Sequence, residues 1–185
     1  EPAPVLVLPE GLTRIGTRFI ACQYPAISIP ASLTDIAPGA FLDCWSLTEV
    51  TIAEDNPAYM IEDGILYTKD KTVLHSCINR QSLEHVTVPD GVTRIEEAAF
   101  YRSEGLRSVI FPEGLLIISA HSFSECLALE SINLPSTVTV IDQYAFSACQ
   151  SLKRITIPAG VTELAGSVFG NCTALKEVIF APRSQ

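Results

Sequence analysis

The stretch LRSVIFPEGLLIISAHSFSECLA, residues 106–128, decides the fold, because it recurs with little change from Leu129, from Leu152 and, shortened, from Leu175. Pro89, Pro112, Pro135 and Pro158 stand 23 residues apart, and Phe100, Phe123, Phe146 and Phe169 keep the same interval. A fixed period of this kind marks a solenoid, in which each coil buries its apolar side only against the coils above and below.

Each part of the repeat has a physical role. Residues 106–111 form a β-rich run closed by Pro112, which has no N–H to give to a ladder. Alternation along this strand points Val109 and Phe111 inward and Ser108 and Ile110 outward, with Leu106 inward just before it. Glu113-Gly114 supplies a turn, and Leu115 and Ile118 carry the next inward positions. Phe123 and Cys126, at i and i+3, then read as neighbours on one helical turn. The expected class is α/β: short strands stacked as a parallel sheet at roughly 4.8 Å, with one-turn helices on the return.

The 185 residues accommodate about eight such coils in a single domain, 1–185. Hydrophobic content of 48% with 18% charged residues fits an array in which every coil contributes a slice of core. No apolar run approaches the roughly 18 residues of a membrane span. The opening Glu1-Pro2-Ala3-Pro4 is not a signal segment, so the chain reads either as one whose signal has been removed or as cytosolic. A formal charge of −9 argues against nucleic acid and against electrostatic docking to anionic lipid. Proteins and sugars are the partners it leaves.

Five of the six cysteines, Cys22, Cys44, Cys126, Cys149 and Cys172, come three residues after a repeat phenylalanine and so form one column. Parallel Cβ vectors suit buried thiols acting as small hydrophobes better than disulfides. Stacked rungs also fail to converge on the tetrahedron that zinc needs.

The first coil carries Leu12, Ile15, Phe19 and Cys22, with Arg18 where later coils have alanine. The second restores Ala40-Phe41 and Cys44 and adds Trp45, the sole tryptophan, which reads either as a cover for the edge of the next coil or as an exposed binding anchor. That next coil breaks the pattern: Leu47 to Leu83 is 36 residues, 13 more than the period. Its extra chain, at about 54–81, contains Asp63-Gly64-Ile65-Leu66-Tyr67 and Thr72-Val73-Leu74-His75 around a polar turn, the pattern of a small hairpin budding from the solenoid. Cys77 lies outside the cysteine column, either accessible or buried beneath this hairpin. The array resumes from Ser82, with Ser103 in place of the column cysteine, and its last strand, Val178 to Phe180, has no polar helix after it. An open apolar end of that kind suggests a longer array or a contact with another chain.

The repeat LxxVxIPxxVxxIxxxAFxxCxx resembles the BspA-like leucine-rich repeat, and NPxYxxxDGILYxKDKTxL resembles the insert found between repeats of that family; the one departure is Ser76-Cys77, where a tyrosine-proline pair is usual. The resemblance implies a right-handed leucine-rich-repeat solenoid with its curved parallel sheet on the concave side. It also implies a secreted or cell-surface protein of adhesin or host-interaction type, as in host-associated bacteria, with no catalytic residues to carry over.

No HExxH, GxSxG, CxxC or phosphate-cradling glycine loop is present, and His75, His85 and His121 fall in three different settings, so neither catalysis nor a cofactor is expected. Asp55, Asn56 and Asp63 lack the spacing of an EF-hand, and no metal is expected either. The candidate binding surface is the pair of outward columns on the sheet. One holds Ala26, Glu49, His85, Ser108, Ser131, Arg154 and Glu177; the other holds Ser28, Thr51, Thr87, Ile110, Asn133, Thr156 and Ile179. Trp45 and the insert's Tyr59 and Tyr67 join them as candidate contacts for a protein or glycan. The competing readings are that these columns merely keep the face soluble, and that the protein is a spacer or assembly unit self-associating through its open C-terminal coil.

The inward assignment is directly testable. Phe146→Ala should destabilise by about 3 to 5 kcal/mol, read from denaturant midpoints. A loss under about 1 kcal/mol would place this column elsewhere.

Overall fold

A computed structural model describes residues 4–19 and 23–183. Two columns of short strands run along the array. The first comprises β1 (Val5–Val7), β3 (Ala26–Ile29), β5 (Glu49–Ile52), β9 (His85–Thr87), β11 (Ser108–Ile110), β13 (Ser131–Ile132), β15 (Arg154–Ile157) and β16 (Glu177–Phe180). The second comprises β2 (Arg14–Ile15), β4 (Asp35–Ile36), β8 (Val73–Cys77), β10 (Arg94–Ile95), β12 (Ile117–Ile118) and β14 (Val140–Ile141). Within each column the pairing is parallel, in a register of one repeat: Val109 faces Val86, and Ile118 faces both Ile95 and Ile141. In the first column β1, β3, β9, β11, β13 and β15 each stop within three residues of a proline, which cannot extend the ladder, whereas β5 meets Ala53; Val86, Val109, Ile132 and Ile155 are buried as the alternation requires. At β16, Val178, Ile179 and Phe180 are exposed, with no described coil beyond them.

The phenylalanines form an internal stack. Phe100 and Phe123 have ring centroids 5.1 Å apart at 10°, Phe123 and Phe146 5.4 Å at 9°, and Phe146 and Phe169 6.0 Å at 12°. Burying each such side chain contributes about 1.5 to 3 kcal/mol, and the parallel repeat makes each ring the packing surface for the next.

Among the described residues the expected one-turn helices are not formed, so the class is a β-solenoid of parallel coils rather than α/β. The physical reason lies in the direction of the N–H groups. Those of Ala98, Phe100 and Arg102 leave the coil and donate to Ala120, Ser122 and Ser124 of the next, at 3.0, 2.7 and 2.9 Å. The intervening N–H groups of Ala99, Tyr101 and Ser103 close tight turns on Glu96, Ala98 and Phe100. A helix would direct every N–H along its own axis; here every second one is needed by the neighbour. Alternation is achieved by placing Ala98 and Arg102 at φ of 56° and 57°, and the pattern recurs at His121 and Glu125, Tyr144 and Ala148, and Ser167 and Asn171. Left-handed backbone costs an L residue about 1–2 kcal/mol, which the inter-coil bonds offset. Phe123 and Cys126 remain neighbours, both buried, but across a turn.

The insert also differs from expectation. It does not bud outward. β6 (Tyr59–Glu62) and β7 (Ile65–Thr68) pair antiparallel through Asp63 and Gly64, whose φ values of 50° and 74° suit a two-residue I′ turn. β7 then pairs antiparallel with β8, itself a rung of the second column. Ile65, Leu66 and Tyr67 are all buried, because the meander crosses the interior as a wall: Ile65 and Tyr67 pack into the core of the later coils, and Leu66 into that of the first two. Cys77 is buried behind it, and Cys22 lies outside the described residues.

Ala148 and Ala145 give opposite expectations. Ala148→Gly relieves left-handed strain and should change stability by between zero and about 1 kcal/mol in the favourable direction, whereas Ala145→Gly should lose about 1 to 2 kcal/mol. Denaturant titration of the two variants separates them.

Candidate functional site

The insert interrupts the regular stacking between the second coil and the fourth, and the site grows from how that break is sealed. In ordinary coils the carbonyls of Ile15, Ile95 and Ile118 each receive a main-chain N–H from the next coil, at 3.0 Å. Ile36, the equivalent of these in the second coil, is met by side chains. Its carbonyl accepts from His75 Nε2 at 2.9 Å, and its N–H donates to the Tyr59 hydroxyl at 2.9 Å. The carbonyl fixes Nε2 as the protonated nitrogen of a neutral imidazole, leaving Nδ1 to accept from Ser76 Oγ at 2.9 Å. Asn56, also buried, donates to the carbonyls of Pro30 and Leu33 at 2.8 and 2.9 Å and accepts the N–H groups of Ala58 and Tyr59.

Arg80 completes the seam. Counting 23 back from Phe100 and Ser103 reaches Cys77 and Arg80, so the third coil puts a cysteine in the phenylalanine column and an arginine in the cysteine column. The column thiols turn out to be donors: Cys126, Cys149 and Cys172 reach the carbonyls of Phe100, Phe123 and Phe146 at 3.2, 3.1 and 3.0 Å. Arg80 does the same work with a longer reach, giving Nη2 to Phe41 at 2.9 Å, Nη1 to Leu42 at 3.2 Å and Nε to Cys77 at 3.2 Å. Burial lowers the pKa of Arg80 from its ordinary value, but a guanidinium remains charged. Burial likewise raises that of Cys77, to about 11, which keeps it an unreactive thiol.

At this corner lies a cleft of about 380 Å³, lined by Cys44, Trp45, Leu47, Thr48, Asn79, Arg80, Gln81, Arg102 and Glu104. Trp45 reaches past the third coil to the fourth, where its ring lies 6.3 Å from that of Tyr101 and under the Arg102 guanidinium, 4.7 Å from Cζ to the ring centroid. Arg102 is held over the indole by Glu125 at 3.1 Å and Glu104 at 3.7 Å, and Tyr101 donates to Glu125 at 2.8 Å. Trp45 nevertheless stays 47% exposed. It covers the edge of the array here and leaves an aromatic face exposed.

The other candidates divide into groups. Glu49 and Thr51 are exposed on β5, and His85, Thr87 and Ile110 on β9 and β11, with Ser108 half-buried beside them; Asn133, Arg154 and Thr156 are exposed further along. β5 pairs only with β3, and β9 only with β11, so the outward columns are broken between Glu49 and His85. His85 Nδ1 lies 2.8 Å from Ser108 Oγ, and Arg154 is 3.6 Å from Glu177, so part of the face is engaged with itself. Tyr59 and Tyr67 are corrections: both are buried in the wall and present nothing to a partner. Asn56 is committed to main chain, and among the described residues no cluster of three His, Cys, Asp or Glu side chains is placed to hold a metal. Arg80 and Arg102 were missed by sequence reasoning; subtracting the period from Ser103 is the signal that finds Arg80.

Residues 4–69 and 71–184 match the BspA type leucine rich repeat region, in six copies. No curated protein matches the chain. Among solved structures the chain is similar to the pneumococcal vaccine antigen PcpA, at 24% identity and a TM-score of 0.82, over 95% of this chain and 50% of that one. It is similar to a leucine-rich repeat protein of Eubacterium ventriosum, at 24% and 0.79, over 94% and 54%. It is also similar to a leucine rich cell surface protein of Faecalibacterium prausnitzii, at 25% and 0.73, over 97% and 60%. The chain thus spans half to three-fifths of those chains.

The seam should respond to acid. Burial holds the His75 pKa below its ordinary 6.5, against the smaller upward pull of the Ile36 carbonyl and Glu96. The unfolded chain therefore takes up a proton that the folded one resists, and stability, complete above pH 6.5, falls as pH drops from there toward the folded pKa. The slope reaches at most about 1.4 kcal/mol per pH unit. Urea midpoints between about pH 6.5 and 5.5 should decline in the wild type and stay flatter in His75→Gln.

Proposed function

Because the chain belongs to the BspA-type leucine-rich repeat family, we propose that it is a non-catalytic, extracellular binding module of the adhesin or host-interaction type, secreted or held at the cell surface, taking a protein or glycan ligand. The contact surface is centred on the Trp45 cleft and continues onto the adjoining strand face at Thr48, Glu49, His85 and Ser108. The observation that carries this reading is Trp45: a large aromatic half-exposed in a concavity and braced by Arg102. Tryptophan and arginine dominate the energetics of binding surfaces, and a braced ring loses little entropy when a partner covers it. The similarity to a vaccine antigen and to a cell surface protein supports the extracellular setting. The strand face contributes modest polar groups and is interrupted between β5 and β9.

Printed glycan and extracellular-matrix protein arrays, probed with the chain and with Trp45→Ala, test this. A captured ligand should bind the variant more than about tenfold more weakly, since truncating a tryptophan anchor costs about 2 kcal/mol or more. Undiminished capture by the variant would move the site away from the cleft.

A further inference from the structure

Arg80 carries a charge that the fold compensates only in part. It is 9% exposed, and among the described residues no carboxylate lies within 4.0 Å of its guanidinium. Three of its five N–H groups are spent on main-chain carbonyls, which leaves two. The Asp43 carboxylate acts on it only from beyond that distance; a buried charge without a close counter-charge is expensive, and this one lines a cleft open to solvent. Glu104 is the one carboxylate lining that cleft, and it is 3.7 Å from Arg102. The vacant electrostatic role is therefore that of an incoming anion.

We infer that the Trp45 cleft is a subsite for a carboxylate-bearing sugar residue of a glycan, with the sugar ring against the exposed indole and its carboxylate taken by Arg80 beside Arg102. The inference rests on the binding-module reading above and names its ligand class. Three features favour a sugar over a bare anion or an acidic peptide. The indole offers a flat apolar surface to ring C–H groups; Asn79, Gln81 and Glu104 offer amide and carboxylate partners for hydroxyls; and about 380 Å³ falls in the range of small-molecule sites. Aromatic surface also continues from the cleft. Tyr101, beside Trp45, lines a second hollow of about 190 Å³ with His121, whose ring stacks on Tyr144 at 4.8 Å. A glycan chain extending from the acidic residue would meet this track. On a chain of net charge −9, with Arg102 already paired to Glu104 and Glu125, the two arginines suit one acidic residue rather than a polyanion.

The emission of the sole tryptophan reports on this cleft directly. The intact chain is titrated with 3′-sialyllactose, with a glucuronate-containing disaccharide, with neutral lactose and with an acidic peptide. A saturable change for at least one acidic sugar, at least tenfold tighter than for lactose and for the peptide and weakened severalfold by added salt, is the expected result. Arg102→Gln, an exposed position, should weaken it about tenfold without moving the thermal midpoint by more than a few degrees; this variant carries the test because Arg80→Gln opens the seam. Equal response to lactose, a match by the peptide, or no saturation below about 10 mM overturns the sugar assignment. The same outcome together with Trp45-dependent capture of a protein on the arrays leaves the binding-module reading standing; Trp45-independent capture overturns both.

Discussion

Every main-chain polar group on the flank of a coil must be satisfied by the next coil, and this constraint shapes the rest of the molecule. It splits the N–H groups of each return segment between the neighbour and a local turn, which is why the chain accepts left-handed backbone at Ala98, Arg102 and their equivalents instead of forming helices. It also recruits the cysteines, whose thiols reach the phenylalanine carbonyls one coil back. A small side chain that both packs and donates weakly serves that column well.

The insert is where the constraint is hardest to meet. With β6 and β7 in the interior, the second coil keeps its main-chain pairing with the third along β3 and β5, and five of its other carbonyls are met by side chains: those of Pro30, Leu33, Ile36, Phe41 and Leu42, by Asn56, His75 and Arg80. Such buried polar groups are costly if any member is unsatisfied, which makes the seam a device for fixing register as well as a point of weakness. The two apolar cores on either side of the wall are joined across it through β7, whose side chains alternate between them.

The same break makes the surface interesting. Regular coils present small, mixed side chains of low energetic value, partly paired with one another, as His85 is with Ser108. Beside the third coil, Trp45 comes to the mouth of a cleft, Arg102 is fixed over it by two carboxylates, and Arg80 has no carboxylate within 4.0 Å among the described residues. Concavity, an aromatic face and unspent hydrogen-bond donors coincide beside the insert, and binding energy concentrates where such groups are held rigid.

The 23-residue recurrence of proline, phenylalanine and cysteine determined by itself that the chain is a stack of parallel coils, which strand residues point inward, and where the pattern breaks, because side-chain period and coil period are properties of local sequence. The Asp63-Gly64 turn was legible for the same reason. Three things were decided by tertiary structure. Phe123 and Cys126 at i and i+3 suit a helix and a tight turn equally, and the demand of the neighbouring coil for N–H groups chose the turn. Tyr59 and Tyr67 alternate as an exposed hairpin would, yet the wall they help to build is covered on both faces, and burial depends on what stacks against a strand rather than on the strand. The cleft joins Trp45 to Arg80 and Arg102 across three coils, and no local pattern encodes that proximity, since it arises only when those coils stack.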